Sequence, residues 1–267
     1  MRRRVLIFLS VAAGAWLLLT FALWLLQDRI VFPGAWRGHR PVDVSGVRTF
    51  ELAGAAGPFR VAERAPERPR AVLLFFVGNG EDLASAARRA AGFARHGLLV
   101  IAPEYPGYGG SAGEPGVASL HDVALRTAEY AAGIATARGL PLVVGGISLG
   151  SFCAVRVAAE REVARLFLAA PPTNLVDAAR ARFWWLPIGL LLRHRFDSTA
   201  IAPQVQCPVL VVHGDADAIV PIALGERLAA AFANAEFVRV PAAGHNDLPL
   251  EPGNPVGDRI GRFLRGD

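Results

Sequence analysis

The segment Leu142-Val143-Val144-Gly145-Gly146-Ile147-Ser148-Leu149-Gly150-Ser151 decides how this chain folds. Its apolar first half is typical of a strand, and the small residues of 151–159 that follow it are typical of a helix. Between them lies a Gly-x-Ser-x-Gly turn, which in this context holds a serine at strained backbone angles with its hydroxyl exposed. The flanking glycines suit so tight a turn because they carry no Cβ. Ser148 is therefore a candidate nucleophile; the competing interpretation is an ordinary N-cap serine.

Length and composition limit the classes of function. The 267 residues, less an apolar N-terminus, suffice for one α/β domain with a substantial core. All 28 basic residues are arginines scattered among 23 acidic ones, so the net charge of +5 forms no aromatic-rich basic stripe for a nucleic acid. The two cysteines, Cys153 and Cys207, stand at unrelated positions, and no His, Cys or Glu cluster has metal-ligand spacing. We therefore expect no nucleic-acid partner, no metal and no cofactor, and the oligomeric state stays open.

An uncharged apolar run, Val5–Leu26, follows three arginines at 2–4. It is long enough for a helix that crosses a bilayer, which needs about 20 residues. The alternative is a secretory signal cleaved near Ala13-Gly14-Ala15, but the apolar run continues well past that point and exceeds a normal signal h-region. We therefore expect residues 1–27 to form an uncleaved signal anchor, a single transmembrane helix, and residues 28–267 to form the folded domain.

The arginines at 2–4 also predict the orientation of this anchor. Positive charge favours the cytoplasmic side, so the N-terminus is expected in the cytoplasm and the folded domain outside it, in the periplasm if the source is bacterial. Arg29, Arg37 and Arg40 follow the apolar run and weaken this asymmetry. The membrane is thus an expected partner of the N-terminal helix.

Apolar strands alternate with helices after residue 70. The segment Ala71–Val77 is apolar throughout, as in a strand buried on both faces. Two strands are predicted before it, at 47–51 and 59–63. After it, strands are predicted at 98–102, 142–147, 166–169, 209–213 and 237–240, and helices at 83–96, 119–138, 151–159, 222–234 and 257–265. The alternation predicts an α/β fold with a mostly parallel central sheet and flanking helices.

The segment 172–206 interrupts this alternation. A connection of that length is usually a functional insertion, and here it predicts a small helical cap over the site. Its aromatic residues Phe183, Trp184 and Trp185 would then line an apolar substrate pocket. Two alternatives are an ordinary core helix and a patch that dips into the membrane interface.

A serine nucleophile needs a general base, and the base needs a carboxylate to orient it. His245 is the best candidate for the base because it lies in a polar turn directly after the last predicted strand, where catalytic residues collect. His194 lies between two arginines in the predicted cap and is expected to face solvent. His213 ends a strand, which suits a structural hydrogen bond.

Two aspartates, Asp215 and Asp217, follow the strand predicted at 209–213. We choose Asp217 as the acid; the alternative is that both are ordinary loop and capping residues. An oxyanion hole needs two backbone N–H groups. The candidates are Leu149, at the start of a helix, and Asn79, in the glycine-rich turn after the first buried strand, although that turn could also be a plain connection.

Four blocks of the chain resemble the α/β-hydrolase superfamily, and especially its membrane-anchored BEM46-like group. They are the strand end and oxyanion turn 75–80; the segment 105–115, which is similar to the group's Tyr-Arg-Gly-Tyr-Gly-x-Ser-x-Gly-x-Pro loop; the serine turn itself; and 207–221 together with 244–247. The resemblance implies this fold over residues 28–265 and adds Tyr105 to the predicted pocket. Val77 departs from the group's usual histidine, and Pro106 from its usual arginine.

These patterns predict a serine hydrolase that works through an acyl-enzyme. Ser148 would attack a carboxylic ester or thioester, with His245 as general base and Asp217 orienting the imidazole. The expected substrate is a small-molecule or lipid-like acyl compound. Two alternatives stay open: a serine peptidase or amidase of the same fold, and a membrane-tethered scaffold with weak catalysis, for which Val77 is the only support.

Overall fold

The computed structural model describes residues 1–38 and 40–267, and within these residues its centre is a mostly parallel eight-stranded sheet. The strands are β1 (Arg48–Gly54), β2 (Gly57–Arg64), β3 (Ala71–Phe76), β4 (Leu98–Pro103), β5 (Leu142–Ile147), β6 (Arg165–Ala169), β7 (Val209–Gly214) and β8 (Ala235–Val240). Their order across the sheet is β1-β2-β4-β3-β5-β6-β7-β8. The pairs β1–β2 and β2–β4 are antiparallel, and the other neighbours are parallel. The predicted fold class is confirmed.

The central strands are buried on both faces because helices cover the sheet. Every residue of β3, β4, β5 and β7 is buried, as their continuous apolar runs predict. The edge strand β8 instead includes exposed and buried residues, which is typical of a strand with one solvated face.

Nine α-helices occur in the described part of the chain. They are α1 (Arg2–Leu25), α2 (Gln27–Val31), α3 (Leu83–Ala94), α4 (Val117–Arg138), α5 (Gly150–Glu160), α6 (Leu175–Arg182), α7 (Ile188–Leu191), α8 (Ile222–Ala229) and α9 (Pro255–Arg265). The helix predicted over 222–234 is shorter than expected, because the chain must turn before β8 begins at Ala235. The helix predicted over 83–96 also ends early, since Gly97 adopts a left-handed φ of +79° just beyond it.

The carboxyl ends of the parallel strands meet at one edge of the sheet. The turn Gly78-Asn79-Gly80 follows β3, Ser148 follows β5, Asp217 follows β7 and His245 follows β8. The fold therefore gathers at one edge four segments that are far apart in the sequence.

The N-terminal helix α1 is apolar and mostly exposed. Among the residues that the structure describes, it is the one helix long and apolar enough to cross a membrane. A single residue separates it from α2, and Phe32, directly after α2, is fully buried in the core of the domain. The end of α1 is thus joined closely to the folded domain.

The insertion between β6 and β7 contains the short helices α6 and α7, and it contacts the end of α1. Gln27 Nε2 donates to the Leu191 carbonyl (3.3 Å), and the Arg193 N–H donates to Gln27 Oε1 (2.8 Å). Asp28 accepts from the Arg193 guanidinium (2.9 Å) and lies 2.7 Å from His194 Nε2. The His194 side chain is only 16% exposed, so the expectation that it faces solvent is wrong because Asp28 covers and binds it.

Candidate active site

Ser148 lies in a strained turn between β5 and α5. Its φ is +52°, in the left-handed region that residues with a side chain rarely adopt. Its N–H donates to the Ala169 carbonyl at the end of β6 (3.0 Å). A Cβ on Gly146 would lie 2.3 Å from the Gly150 carbonyl oxygen, and one on Gly150 would lie 2.2 Å from the Phe76 carbonyl oxygen. Close backbone approach therefore requires both glycines.

Asp217 and His245, from the loops after β7 and β8, are hydrogen bonded to each other. His245 Nδ1 lies 2.7 Å from Asp217 Oδ2. This contact leaves Nε2 as the ring nitrogen available for a second partner, and both His245 and Ser148 line the same cavity. An imidazole that is oriented by a carboxylate and lines the same cavity as a serine is an arrangement from which a general base can act.

The carboxylate of Asp217 is fully buried and has a partner at each oxygen. Oδ1 accepts the N–H groups of Ile219 and Val220, both at 2.8 Å, and Oδ2 lies 3.2 Å from His213 Nε2. Burial raises the pKa of Asp217, but the hydrogen bonds from His213, His245 and the Val220 N–H outweigh it and hold that pKa well below its usual range. The side chain is therefore an anion at neutral pH.

Asp215, the alternative acid, is bonded elsewhere. It is exposed, and its Oδ1 accepts the N–H of Ala242 (2.7 Å) in the turn that leads to His245. The geometry thus favours Asp217 as the partner of the histidine, and it gives Asp215 a role in bracing the turn.

The loop after β3 is held by hydrogen bonds that leave one N–H unused. The Gly78 N–H donates to Glu81 Oε2 (2.7 Å), and the Asn79 carbonyl accepts from the Tyr108 hydroxyl (2.9 Å). Within residues 1–38 and 40–267, neither Asn79 nor Leu149 donates its backbone N–H to a protein acceptor, and both residues line the cavity beside Ser148. Fixed and unpaired N–H groups are what an oxyanion hole needs.

Tyr105 braces this loop from behind and does not line the cavity, which corrects the prediction that it is a pocket residue. Its ring is fully buried, and its hydroxyl donates to the Val77 carbonyl (2.7 Å). Burial raises the pKa of Tyr105 well above its usual value, so the phenol stays a donor. The hydroxyls of Tyr105 and Tyr108 thus donate to two carbonyls of the loop after β3, those of Val77 and Asn79, and hold its backbone in place.

The cavity beside Ser148, which we call the catalytic cavity, has a volume of ≈ 730 Å³. Phe183, directly after α6, lines it. Trp184 and Trp185 are not among its lining residues, and Trp184 is 80% exposed, so their prediction as pocket residues is wrong. The reason is that α6 ends at Arg182 and the following turn carries both indoles to the outer surface.

Part of the cavity wall was missed in the sequence. Ile30 and Val31 at the end of α2, and Pro33 shortly after it, line the catalytic cavity together with Arg37. No local pattern marks these residues as belonging to a site, because only the packing of α2 against the domain brings them there. The supporting role of Tyr108 was also missed, although its Gly-Tyr-Gly context could have indicated a loop under constraint.

Comparison with known proteins agrees with this architecture. The family model for serine aminopeptidase S33 matches residues 67–196, and the model for TAP-like protein matches residues 193–266. Rv2307c of Mycobacterium tuberculosis is 37% identical over 193 residues, which is 72% of this chain and 69% of that one. The alpha/beta hydrolase domain-containing protein aho-3 of Caenorhabditis elegans is 28% identical over 85% of this chain and 68% of its own. A membrane phospholipase A, a bacterial virulence factor, has a similar structure, with a TM-score of 0.62 at 19% identity over 100% of this chain and 99% of that one.

The chain belongs to the α/β-hydrolase superfamily, and to its serine-hydrolase type. The superfamily predicted from the four sequence blocks is thereby confirmed. Membership of the narrower BEM46-like group stays a prediction.

Proposed function

We propose that this protein is a membrane-anchored serine hydrolase that cleaves carboxylic ester or thioester bonds. The observation that carries the proposal is the 2.7 Å contact between His245 and the buried anion Asp217, on the same cavity as a serine held at φ +52°. Backbone strain at a serine costs stability unless the surrounding fold maintains it, and strained residues and perturbed carboxylate pKa values both cluster at functional sites.

The proposed reaction has two steps. Ser148 Oγ attacks the carbonyl carbon while His245 Nε2 takes its proton, and the charged tetrahedral oxygen accepts the N–H groups of Leu149 and Asn79. His245 then gives the proton to the departing alcohol or thiol, which leaves an acyl group on Ser148. Water attacks this acyl-enzyme as His245 takes its proton, and His245 then returns that proton to Ser148 Oγ as the carboxylic acid leaves. Asp217 keeps the imidazole in the correct tautomer throughout.

The N-terminal helix is proposed as the anchor of this enzyme, with residues 1–27 as the membrane segment and 28–267 as the hydrolase domain. Supporting it are the apolar composition and the exposure of α1. The three arginines in its first turn favour a cytoplasmic N-terminus and an extracytoplasmic hydrolase domain. The full-length chain should stay in the membrane fraction after washing with alkaline carbonate; recovery of a soluble chain that begins near Trp16 would favour a cleaved signal instead.

A second candidate function is a serine peptidase or amidase, because one family model that matches the chain is that of serine aminopeptidase S33. A panel of p-nitrophenyl esters, acyl-coenzyme A thioesters and aminoacyl-p-nitroanilides separates the two candidates. We expect kcat/KM to be highest for the oxygen esters or thioesters.

The central test uses a fluorophosphonate probe, which labels activated serines. Ser148→Ala should lose both labelling and ester turnover while its thermal melt still shows a folded protein. Ser119→Ala, which changes a serine outside the catalytic cavity, is the matched control and should label normally. Labelling that persists in Ser148→Ala would show that Ser148 is not the nucleophile. A wild-type chain that is never labelled would favour the scaffold alternative.

A further inference from the structure

A second cavity lies where the N-terminal helix meets the cap, and the proposed chemistry does not use it. We call it the junction pocket. It is bordered by Leu23 in the last turn of α1, by α2, by α6, and by Ile188 and Leu191 in α7. Among the residues that the structure describes, every side chain that lines it is apolar except Gln27. Its volume is ≈ 80 Å³, much smaller than the catalytic cavity.

The junction pocket adjoins the catalytic cavity. Four residues line both of them: Ile30 and Val31 at the end of α2, and Ala179 and Phe183 from the cap. The boundary between the two cavities is therefore built from apolar side chains alone. A hydrocarbon chain that leaves the Ser148 end of the larger cavity would meet no polar group at this boundary.

Gln27, the one polar residue in the pocket, has both ends of its amide occupied. Its Nε2 donates to the Trp24 carbonyl (2.8 Å) and the Leu191 carbonyl (3.3 Å), and its Oε1 accepts the Arg193 N–H (2.8 Å). The amide thus holds α1 to the cap and has little capacity left for a ligand. A sugar or a charged group in the pocket would lose its hydration without gaining partners, whereas an alkyl chain loses nothing.

We propose that the junction pocket binds the terminal methylenes of an acyl chain whose ester carbonyl lies at Ser148, so that the substrate is a long-chain lipid ester. The inference rests on the proposed function and deepens it. The small size of the pocket suits the end of a chain better than a headgroup. Its place at the last turn of α1, an apolar helix of membrane-spanning length, would put it at the surface of the bilayer from which such a chain is drawn.

Photolabelling tests the pocket without requiring turnover. The full-length Ser148→Ala chain in phosphatidylcholine nanodiscs is irradiated with a palmitic acid analogue that carries a diazirine near its methyl end, and labelled peptides are identified by mass spectrometry. Because α1 also contacts bulk lipid, the informative peptide is the cap segment that contains Leu186 and Ile188. We expect this segment to be labelled, and to lose its label when Ala179→Phe is added. Absence of cap label, or label that Ala179→Phe leaves unchanged, overturns the proposal.

Turnover by the otherwise wild-type chain provides the second measurement. Ala179→Phe should lower the ratio of kcat/KM for a palmitoyl ester to that for a butyryl ester by about tenfold or more, since a bulky side chain at the boundary of the two cavities obstructs a long acyl chain more than a short one. Ala181→Phe, on an exposed position of the same helix that lines neither cavity, is the matched control and should keep the wild-type ratio. An equal loss for both esters contradicts the chain site. A wild-type chain that is labelled in the cap but hydrolyses no ester contradicts the proposed function and leaves the hydrocarbon site standing.

Discussion

His213 Nε2 lies 3.2 Å from Oδ2 of Asp217, the same carboxylate oxygen that contacts His245. The His213 ring is fully buried, and its Nε2 also lies 2.9 Å from the Val220 carbonyl oxygen, which can only accept. The proton is therefore assigned to Nε2, and Nδ1 has no partner among the described residues. We expect His213 to act as a positioning residue through its contact with Asp217.

Replacing His213 should reduce catalysis beyond its effect on folding. His213→Phe keeps the ring volume but removes the donor to Asp217 and leaves the Val220 carbonyl without its partner, which costs about 1–3 kcal/mol of unfolding free energy. Because the carboxylate would then hold the imidazolium more strongly, the acid limb of the pH–rate profile should move to higher pH. His96→Phe is the control, since it also removes a buried histidine bonded to a carbonyl, that of Leu250. An unchanged profile in His213→Phe, with a loss of stability like that of the control, would leave His213 a purely structural residue.

The two aspartates after β7 should differ sharply in their effect on turnover. Asp217→Asn removes the anion that orients His245, and in the serine-protease template the equivalent change costs roughly 10⁴-fold in kcat. Asp215→Asn alters only the contact with the Ala242 N–H, so we expect a loss of less than about tenfold. Steady-state kinetics on both variants decides, and a larger loss at Asp215 would contradict the assignment.

Tyr108 is expected to support the oxyanion hole through the backbone. Tyr108→Phe removes the hydroxyl that holds the Asn79 carbonyl, so the neighbouring N–H is less well fixed, and we expect kcat to fall about tenfold, less than for loss of an oxyanion donor itself. Tyr130→Phe loses a hydroxyl bonded to Glu63 far from the cavity lining and should keep wild-type kcat. Equal kcat values for the two variants would argue against a fixed N–H at this loop.

Trp184→Ala should leave both stability and chain-length preference nearly unchanged when a soluble ester is used. The indole is 80% exposed and lines neither cavity, and surface substitutions usually change stability by less than about 0.5 kcal/mol. Thermal melts and the palmitoyl-to-butyryl ratio measure the two effects. A shift in the ratio as large as that of Ala179→Phe would show that Trp184 contacts the acyl chain after all.

The stability of the protein should fall as the pH is lowered from about 6.5 to about 4. Burial lowers the pKa of His121 to about 4, with a further contribution from Arg156, and burial also lowers the pKa of His96. Between those pH values the unfolded chain takes up protons that the folded one does not, so the stabilisation is complete above the unfolded pKa and is lost as the pH falls through the folded pKa. Melting temperatures measured from pH 7 to 4.5 should decrease, and less steeply in His121→Gln. A flat profile over this range would be inconsistent with buried neutral histidines.

The strands and the elements of the candidate triad could be predicted from the sequence for a physical reason. A strand buried on both faces must be apolar throughout, which makes β3, β5 and β7 visible, and the turns after parallel strands must meet at one edge of the sheet. Ser148 and Asp217 lie in the turns after two such strands, and His245 lies in the turn after the edge strand β8, so local patterns were enough to group them.

Side chains placed by loops and by the cap were predicted poorly, because their surroundings come from distant parts of the chain. His194 is charge-flanked in sequence, yet its partner Asp28 lies 166 positions away. Tyr105 and Trp184 are aromatic residues in segments that border a pocket, and neither composition nor spacing says whether such a ring faces the cavity, supports a backbone or lies on the surface.

The contacts of Gln27 and Asp28 with the cap have a practical consequence for anyone who works with this enzyme. Cutting the chain after residue 27 to obtain a soluble fragment would remove the amide that ties α1 to the Leu191 and Arg193 backbone, and would open one side of the junction pocket to water. A cut after residue 36 would also delete Ile30, Val31 and Pro33, and with them a wall of the catalytic cavity. Replacing the N-terminal segment would therefore change the walls of both cavities, and rates measured on a shortened chain would describe a different cavity.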